Sequence, residues 1–326
     1  MKRLACAIAL ASALTGCMSF NSIDVGLREP FKEYEEKLVQ KDPTTHHKIA
    51  IIDVDGIIQD QTEDNLLWTR DSMVVSVVEK LKRAEADPDV KAVILRVDSP
   101  GGSITASDVL YEEIRSFKER KRIPVVAAFM GVAASGGYYI SCACDRIVAH
   151  PTTITGSIGV IALHVSLAGL LEKAGVKVEA LKSGTHKDTG SIFRDLSDDE
   201  RKLLQTMIDD MHSRFVGVVA RGRQSVLTEA QVREIADGRI YTADLALKLK
   251  LIDRIGYLKD AVDEARTLAG IKGAKLVLYT RRPNSAENVY SPTSVSASAD
   301  SSVMEFARRT LRFQLYYLWE PGLLGK

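Results

Sequence analysis

Hydrophobic and polar positions divide this chain into three regimes. A short apolar block, Leu4 to Leu14, follows a basic start, Met1-Lys2-Arg3. From Lys48 to Lys182, β-prone apolar runs alternate with stretches of helical spacing. Beyond Lys182 the spacing is mainly helical, until a Ser/Ala/Thr-rich segment (Asn284 to Ser302) and an apolar, aromatic tail (Met304 to Leu324).

In the middle regime the pattern predicts strands at Ile49–Val54, Lys91–Val97, Pro124–Met130, Arg146–Ala149 and Val176–Lys182. Between them it predicts helices over Leu66–Ala86, Ala106–Arg120 and Ser166–Ala174. In the first helix Met73, Val74, Val77, Val78 and Leu81 share a face, and Asp87-Pro88 stops it. Ala92-Val93-Ile94-Leu95 is apolar throughout, as expected of a parallel strand covered on both faces. Strands alternating with helices indicate an α/β fold with largely parallel pairing. Ser197-Asp198-Asp199-Glu200 and Thr228-Glu229-Ala230-Gln231 are capping-box patterns that open a long helix, to about Arg221, and a shorter one. A charged stretch, Phe31 to Val39, reads as a short helix in a linker. The Asn284–Ser302 segment reads as flexible, and the tail as a short helix for packing in the core or against a neighbour or membrane.

The 326 residues leave room for one large domain or two modest ones. The net charge of +1 gives no electrostatic reason to expect nucleic acid. No apolar run reaches the roughly 18 residues of a membrane-spanning helix. Of the four cysteines, Cys6 and Cys17 fall in the N-terminal region. Cys142 and Cys144 read as small core residues, because no second Cys/His pair has matching metal-ligand spacing. No metal or cofactor is expected.

The start has the layout of an export signal, and Leu14-Thr15-Gly16-Cys17 resembles a bacterial lipobox. The resemblance implies cleavage before Cys17, lipidation of its thiol, and a lipid-anchored protein of the bacterial cell envelope facing the periplasm. Met18, rather than Asp, suggests sorting to the outer membrane. An ordinary secreted protein is the alternative.

Ser135 lies in Gly131-Val132-Ala133-Ala134-Ser135-Gly136-Gly137-Tyr138-Tyr139-Ile140, between an apolar strand and an apolar helical stretch. This places its hydroxyl at a helix N-terminus, either as an N-cap or as a nucleophile. A nucleophilic serine needs a base. His46, His47, His150, His164 and His212 sit in linker, strand-end or apolar contexts, which leaves His186 and its neighbour Lys187 in a polar glycine-flanked loop. A lysine serves if a partly apolar site disfavours its ammonium form. The Gly136 N–H and the Gly101-Gly102 loop are candidate donors to an oxyanion.

Asp98-Ser99-Pro100-Gly101-Gly102-Ser103, Ala133-Ala134-Ser135-Gly136-Gly137-Tyr138-Tyr139-Ile140, Thr155-Gly156-Ser157-Ile158-Gly159-Val160 and Ser183-Gly184-Thr185-His186-Lys187-Asp188 occur in that order, followed by Ala236-Asp237-Gly238-Arg239-Ile240-Tyr241. Together they resemble the signal peptide peptidase A family of serine peptidases, in its short single-copy form. The resemblance implies a Clp-protease/crotonase-like fold with a helical C-terminal extension. It also implies a Ser135–Lys187 dyad, Ser157 orienting the lysine, and Gly102 and Gly136 as oxyanion donors. The active sites would be built between neighbouring subunits of a homo-oligomer. The implied substrates are signal peptides or other membrane-derived or misfolded envelope polypeptides. The organisation expected is a leader over 1–16, a tether over 17–47, a catalytic domain over 48–280, and the Ser/Ala-rich segment with its apolar tail over 281–326. Two rivals are a crotonase-type enzyme acting on acyl thioesters and a non-catalytic, peptide-binding lipoprotein scaffold. Cys142 and Cys144 replace the family's more usual small residues, and the tail has no counterpart in the pattern.

Overall fold

The computed structural model describes residues 33–60, 63–64, 69–281, 288–291 and 315–319. The leader, Cys17, most of the tether and most of the tail lie outside the described residues.

Apolar runs that alternate their burial between two faces generate the central sheet. β1 (Glu35–Gln40) precedes β2 (Lys48–Asp55). A two-residue hairpin, β3 (Glu63–Asp64) with β4 (Thr69–Arg70), then leads to α1 (Met73–Ala86). β5 (Val90–Ser99), β6 (Gly101–Ser103), α2 (Ile104–Lys121), β7 (Val125–Ala134), α3 (Gly136–Ser141), β8 (Arg146–Ala149), β9 (Ile154–Gly156) and β10 (Ile161–Ala162) follow. Then come α4 (Ala168–Lys173), α5 (Asp198–Gly222), α6 (Glu229–Ile235), β11 (Ile240–Thr242), α7 (Ala243–Lys248), β12 (Arg254–Ile255), α8 (Leu258–Ala269), β13 (Lys275–Thr280) and β14 (Leu315–Leu318).

The main sheet runs β1-β13-β2-β5-β7-β8-β12, and along this path only the edge strand β1 is antiparallel; off it, β9 pairs with β7 and β11 lies antiparallel to β9. Along β2 and β5 successive residues serve opposite cores. Ala50, Ile52, Val54, Val93, Leu95 and Val97 join the core shared with α1, α2 and α3. Ile49, Ile51, Ala92 and Ile94 join the core under α8. This two-sided burial explains the unbroken apolar runs.

β7 is shared between partners. Its first half pairs with β8 and its last three residues with β9. The change of partner coincides with a bulge, because Val97 pairs with Phe129 while Ser99 pairs with Ala133. Asp98 holds the bulge, its carboxylate accepting from the Val132 N–H at 2.9 Å beside Gly131. The end of β7 is thereby aimed away from β8 and toward β9.

Three expectations are corrected. The charged stretch expected as a helix forms β1, whose exposed, alternating side chains suit an edge strand against β13; the segment read as tether thus contributes to the sheet. Val176–Lys182 forms no strand and lies exposed in an arm between β10 and α5. The tail supplies a strand, β14, where a helix was expected. The capping boxes at Ser197 and Thr228 form as read. Cys142 is a free, buried thiol of the core, and burial pushes it up to about 12. No described helix is long and apolar enough to cross a membrane.

Candidate active site

Small residues bring the end of β7 close to the neighbouring loops. Ala133 and Ala134 are fully buried, and Ser135 turns sharply into α3 with φ 51° and ψ −115°. That backbone region is costly for a residue with a β-carbon, and such strain concentrates at functional turns. Two backbone bonds hold it: the Ser135 N–H donates to the Gly156 carbonyl at 2.8 Å, and the Tyr139 N–H donates to the Ser135 carbonyl at 2.9 Å. The Ser135 side chain caps nothing. Its hydroxyl is buried and has no hydrogen-bond partner among the described residues. The N-cap reading therefore fails, and a buried hydroxyl without a partner stands at the turn.

Beside it lies the loop that follows β5. The Ser99 hydroxyl donates to the Gly56 carbonyl at 2.6 Å and accepts from the Gly101 N–H at 3.1 Å. Gly101 has φ 102°, open only to glycine, and a β-carbon on Gly102 would stand 1.9 Å from the Ile58 carbonyl oxygen. A β-carbon on Gly136 would stand 3.1 Å from the Gly102 nitrogen. The structure therefore brings Ser135, Gly136 and Gly102 together. Ser157 is close by, since it follows Gly156, whose carbonyl holds the Ser135 amide. It is nearly buried, has φ 49°, and its N–H donates to Arg239.

Lys187 stands apart. It is exposed in the arm between β10 and α5, and it does not reach the Ser135 hydroxyl within the chain. His186 is exposed beside it, while His164 and His212 bond backbone carbonyls elsewhere. The arm itself carries exposed apolar side chains, including Leu170, Val176, Val178, Phe193 and Leu181, the last 94% exposed.

The lysine's loop is bolted at its next residue. Asp188 accepts from Lys182 and from Arg194, which also forks onto Glu200 in the first turn of α5. Hydrogen bonds from Arg194 first, then from Lys182 to Asp188 and from the Ser197 amide to Glu200, hold both carboxyls well below the usual carboxylate range. Depressed carboxylates stabilise above their unfolded pKa of roughly 4 and lose that contribution as pH falls through their folded values. Arg194→Ala is accordingly expected to loosen the loop that carries Lys187. Its stability deficit against the parent should be constant from pH 8 to about 5 and vanish in strong acid, as denaturant titration at each pH will read out.

Sequence reasoning missed three features. Asp98 and Ser99 sit in a motif whose spacing does not disclose the bonds they accept from Val132 and Gly101. Arg194 carries no local pattern. The strand β14 lies between β6 and β10, antiparallel to both, directly across the Gly101–Gly102 loop; its run Leu315-Tyr316-Tyr317-Leu318 is rich in β-prone aromatics, a signal that was available.

Comparison with known proteins matches residues 117–272 to peptidase family S49 and residues 67–155 to the Clp protease family. A candidate protease of Synechocystis is 42% identical over 73% of this chain and 80% of its own length. A candidate signal peptide peptidase A of Enterococcus faecium is 38% identical over 82% of this chain and 75% of its own. The chloroplastic serine protease SPPA of Arabidopsis thaliana is 34% identical over 75% of this chain and 36% of its own. The mixed α/β core, with its mostly parallel sheet, is Clp-protease/crotonase-like.

Proposed function

The chain belongs to peptidase family S49 and is a serine protease of the signal-peptide-peptidase kind; from that premise we propose that Ser135 is its nucleophile and that Lys187 of a neighbouring copy is its general base. The observation that carries this reading is the buried Ser135 hydroxyl, without a partner among the described residues, at a strained turn beside Gly136 and Gly102, while Lys187 lies on an exposed apolar arm of the same chain.

A lysine acts as a base when a partly apolar contact lowers its affinity for the proton. An exposed arm bearing Leu181 and Phe193 supplies such a contact once a second copy covers it. Lys187 then takes the Ser135 proton as the hydroxyl attacks a peptide carbonyl. The Gly102 and Gly136 amides meet the developing oxyanion, and Ser157 orients the amine. The lysine returns the proton to the leaving amine, and water hydrolyses the acyl-enzyme.

The substrates in this reading are signal peptides and other membrane-derived or misfolded envelope polypeptides. Lipidated Cys17 would anchor the protease to a membrane of the cell envelope, facing the periplasm. A serine-reactive phosphonate probe tests the nucleophile directly. Mass spectrometry should find one adduct per chain, on Ser135, and an adduct placed elsewhere or none at all would remove it.

A further inference from the structure

Asp98 and Ser99 stand between the two halves of the site. Ser99 ties down the glycine loop through its bonds with Gly56 and Gly101. Asp98 ties down the serine strand. From Val97 to Ser99, β5 advances two residues while β7 advances four, from Phe129 to Ala133. The surplus of β7 lies opposite Asp98, whose own carbonyl accepts from the Gly56 N–H at 2.9 Å.

A bulge takes backbone groups out of the ladder, and here side chains receive them. The Val132 N–H donates to the Asp98 carboxylate at 2.9 Å. From β9 and the residue before it, the Thr155 hydroxyl donates to the Ala133 carbonyl at 2.6 Å and the Thr153 hydroxyl to the Met130 carbonyl at 2.5 Å. Both threonines are buried, whereas Asp98 is exposed and fills no core. Gly131 makes room for the carboxylate. A β-carbon there would stand 3.3 Å from one of its oxygens and 3.5 Å from the other, and its three nearest neighbours would all be atoms of Asp98. Gly131 has no positive φ, so the approach of the carboxylate, rather than the backbone, favours glycine.

Between the bulge and the turn there is no slack. Val132, Ala133 and Ala134 pair with Ile154, Thr155 and Gly156, and the next residue is Ser135, its amide held by the Gly156 carbonyl. A shift of the bulge therefore passes to the serine.

We infer that Asp98 is a positioning residue of the reaction. Acting through the bulge, it sets where Ser135 stands against the Gly102 and Gly136 amides, while the adjoining Ser99 sets the glycine loop from the same end of β5. The inference rests on the reading of Ser135 as the nucleophile. A nucleophile displaced by a fraction of an ångström slows the chemical step and leaves the binding of the rest of the substrate unchanged. The role belongs to an accepting oxygen rather than to the charge, so an asparagine oxygen serves as well.

The test compares Asp98→Ala, Asp98→Asn and Gly131→Ala in the full chain. Cleavage of a chromogenic peptide ester gives kcat and KM, and mass spectrometry follows amide exchange over Val132 to Ser135. Asp98→Ala should lower kcat about tenfold, leave KM within about twofold, and speed exchange in that segment. Asp98→Asn should keep kcat within about twofold of the parent. Gly131→Ala should lower kcat by displacing the carboxylate, and should cost nothing further when added to Asp98→Ala. Asparagine as slow as alanine, a raised KM with kcat unchanged, unchanged exchange, or additive effects of Asp98→Ala and Gly131→Ala overturns the inference. Faster exchange in Asp98→Ala together with no phosphonate adduct on Ser135 of the parent would keep the clamp on the turn and discard the nucleophile.

Discussion

A Ser135→Ala chain is expected to lose cleavage of peptides and esters by about 10⁴-fold or more. It should also unfold at the same temperature as the parent, or higher. The second half of this expectation separates catalysis from structure. A serine kept for stability makes a bond that alanine breaks, and its loss costs stability. Ser135 makes no such bond among the described residues: its hydroxyl is buried and without a partner there. Removing an unsatisfied buried hydroxyl relieves a desolvation cost of about 1–3 kcal/mol rather than creating one. The backbone bonds that hold the turn, to Gly156 and from Tyr139, involve no side-chain atom and survive the change. Calorimetry beside a peptide assay reads both quantities, and a marked drop in melting temperature would return Ser135 to a structural role.

Lys187→Ala is expected to lose activity on a similar scale, about 10⁴-fold or more, because a serine hydroxyl without a base is a poor nucleophile. Exposure of Lys187 in the single chain means that the change removes no packing, so the monomer fold should be untouched. Lys187→Arg should not rescue it, since a guanidinium stays charged at working pH and cannot accept the proton. His186→Ala should retain most activity. The reverse outcome, loss with His186→Ala and retention with Lys187→Ala, would hand the role to the histidine.

How far the sequence alone discloses this arrangement follows from where the determinants lie along the chain. The parallel sheet was legible because β2, β5 and β7 are buried on both faces and must be apolar throughout. The serine turn was legible because its small residues are local: Ala133 and Ala134 pack below it, while Gly136 and Gly137 allow close approach to Gly101 and Ser99. What stayed hidden depends on distant partners. Glu35–Gln40 is charged, with low strand preference, and becomes a strand because β13 offers it an edge. The tail becomes a strand because β6 and β10 leave a gap between them, a fact of tertiary arrangement. The anchoring of Asp188 by Arg194 and Glu200 joins a loop to a helix start in a geometry that no spacing rule encodes.

The arrangement at stake is a hydroxyl from one chain meeting an amine from another. Co-expressing Ser135→Ala and Lys187→Ala chains with different tags, and purifying assemblies that carry both, tests it directly. If the base comes from a neighbour, each mixed assembly contains contacts where an intact serine meets an intact lysine. Activity should return to about a quarter of the parent's for random mixing. If both groups must come from one chain, the mixed assemblies will be as inactive as either variant alone, and the proposed dyad between copies is wrong.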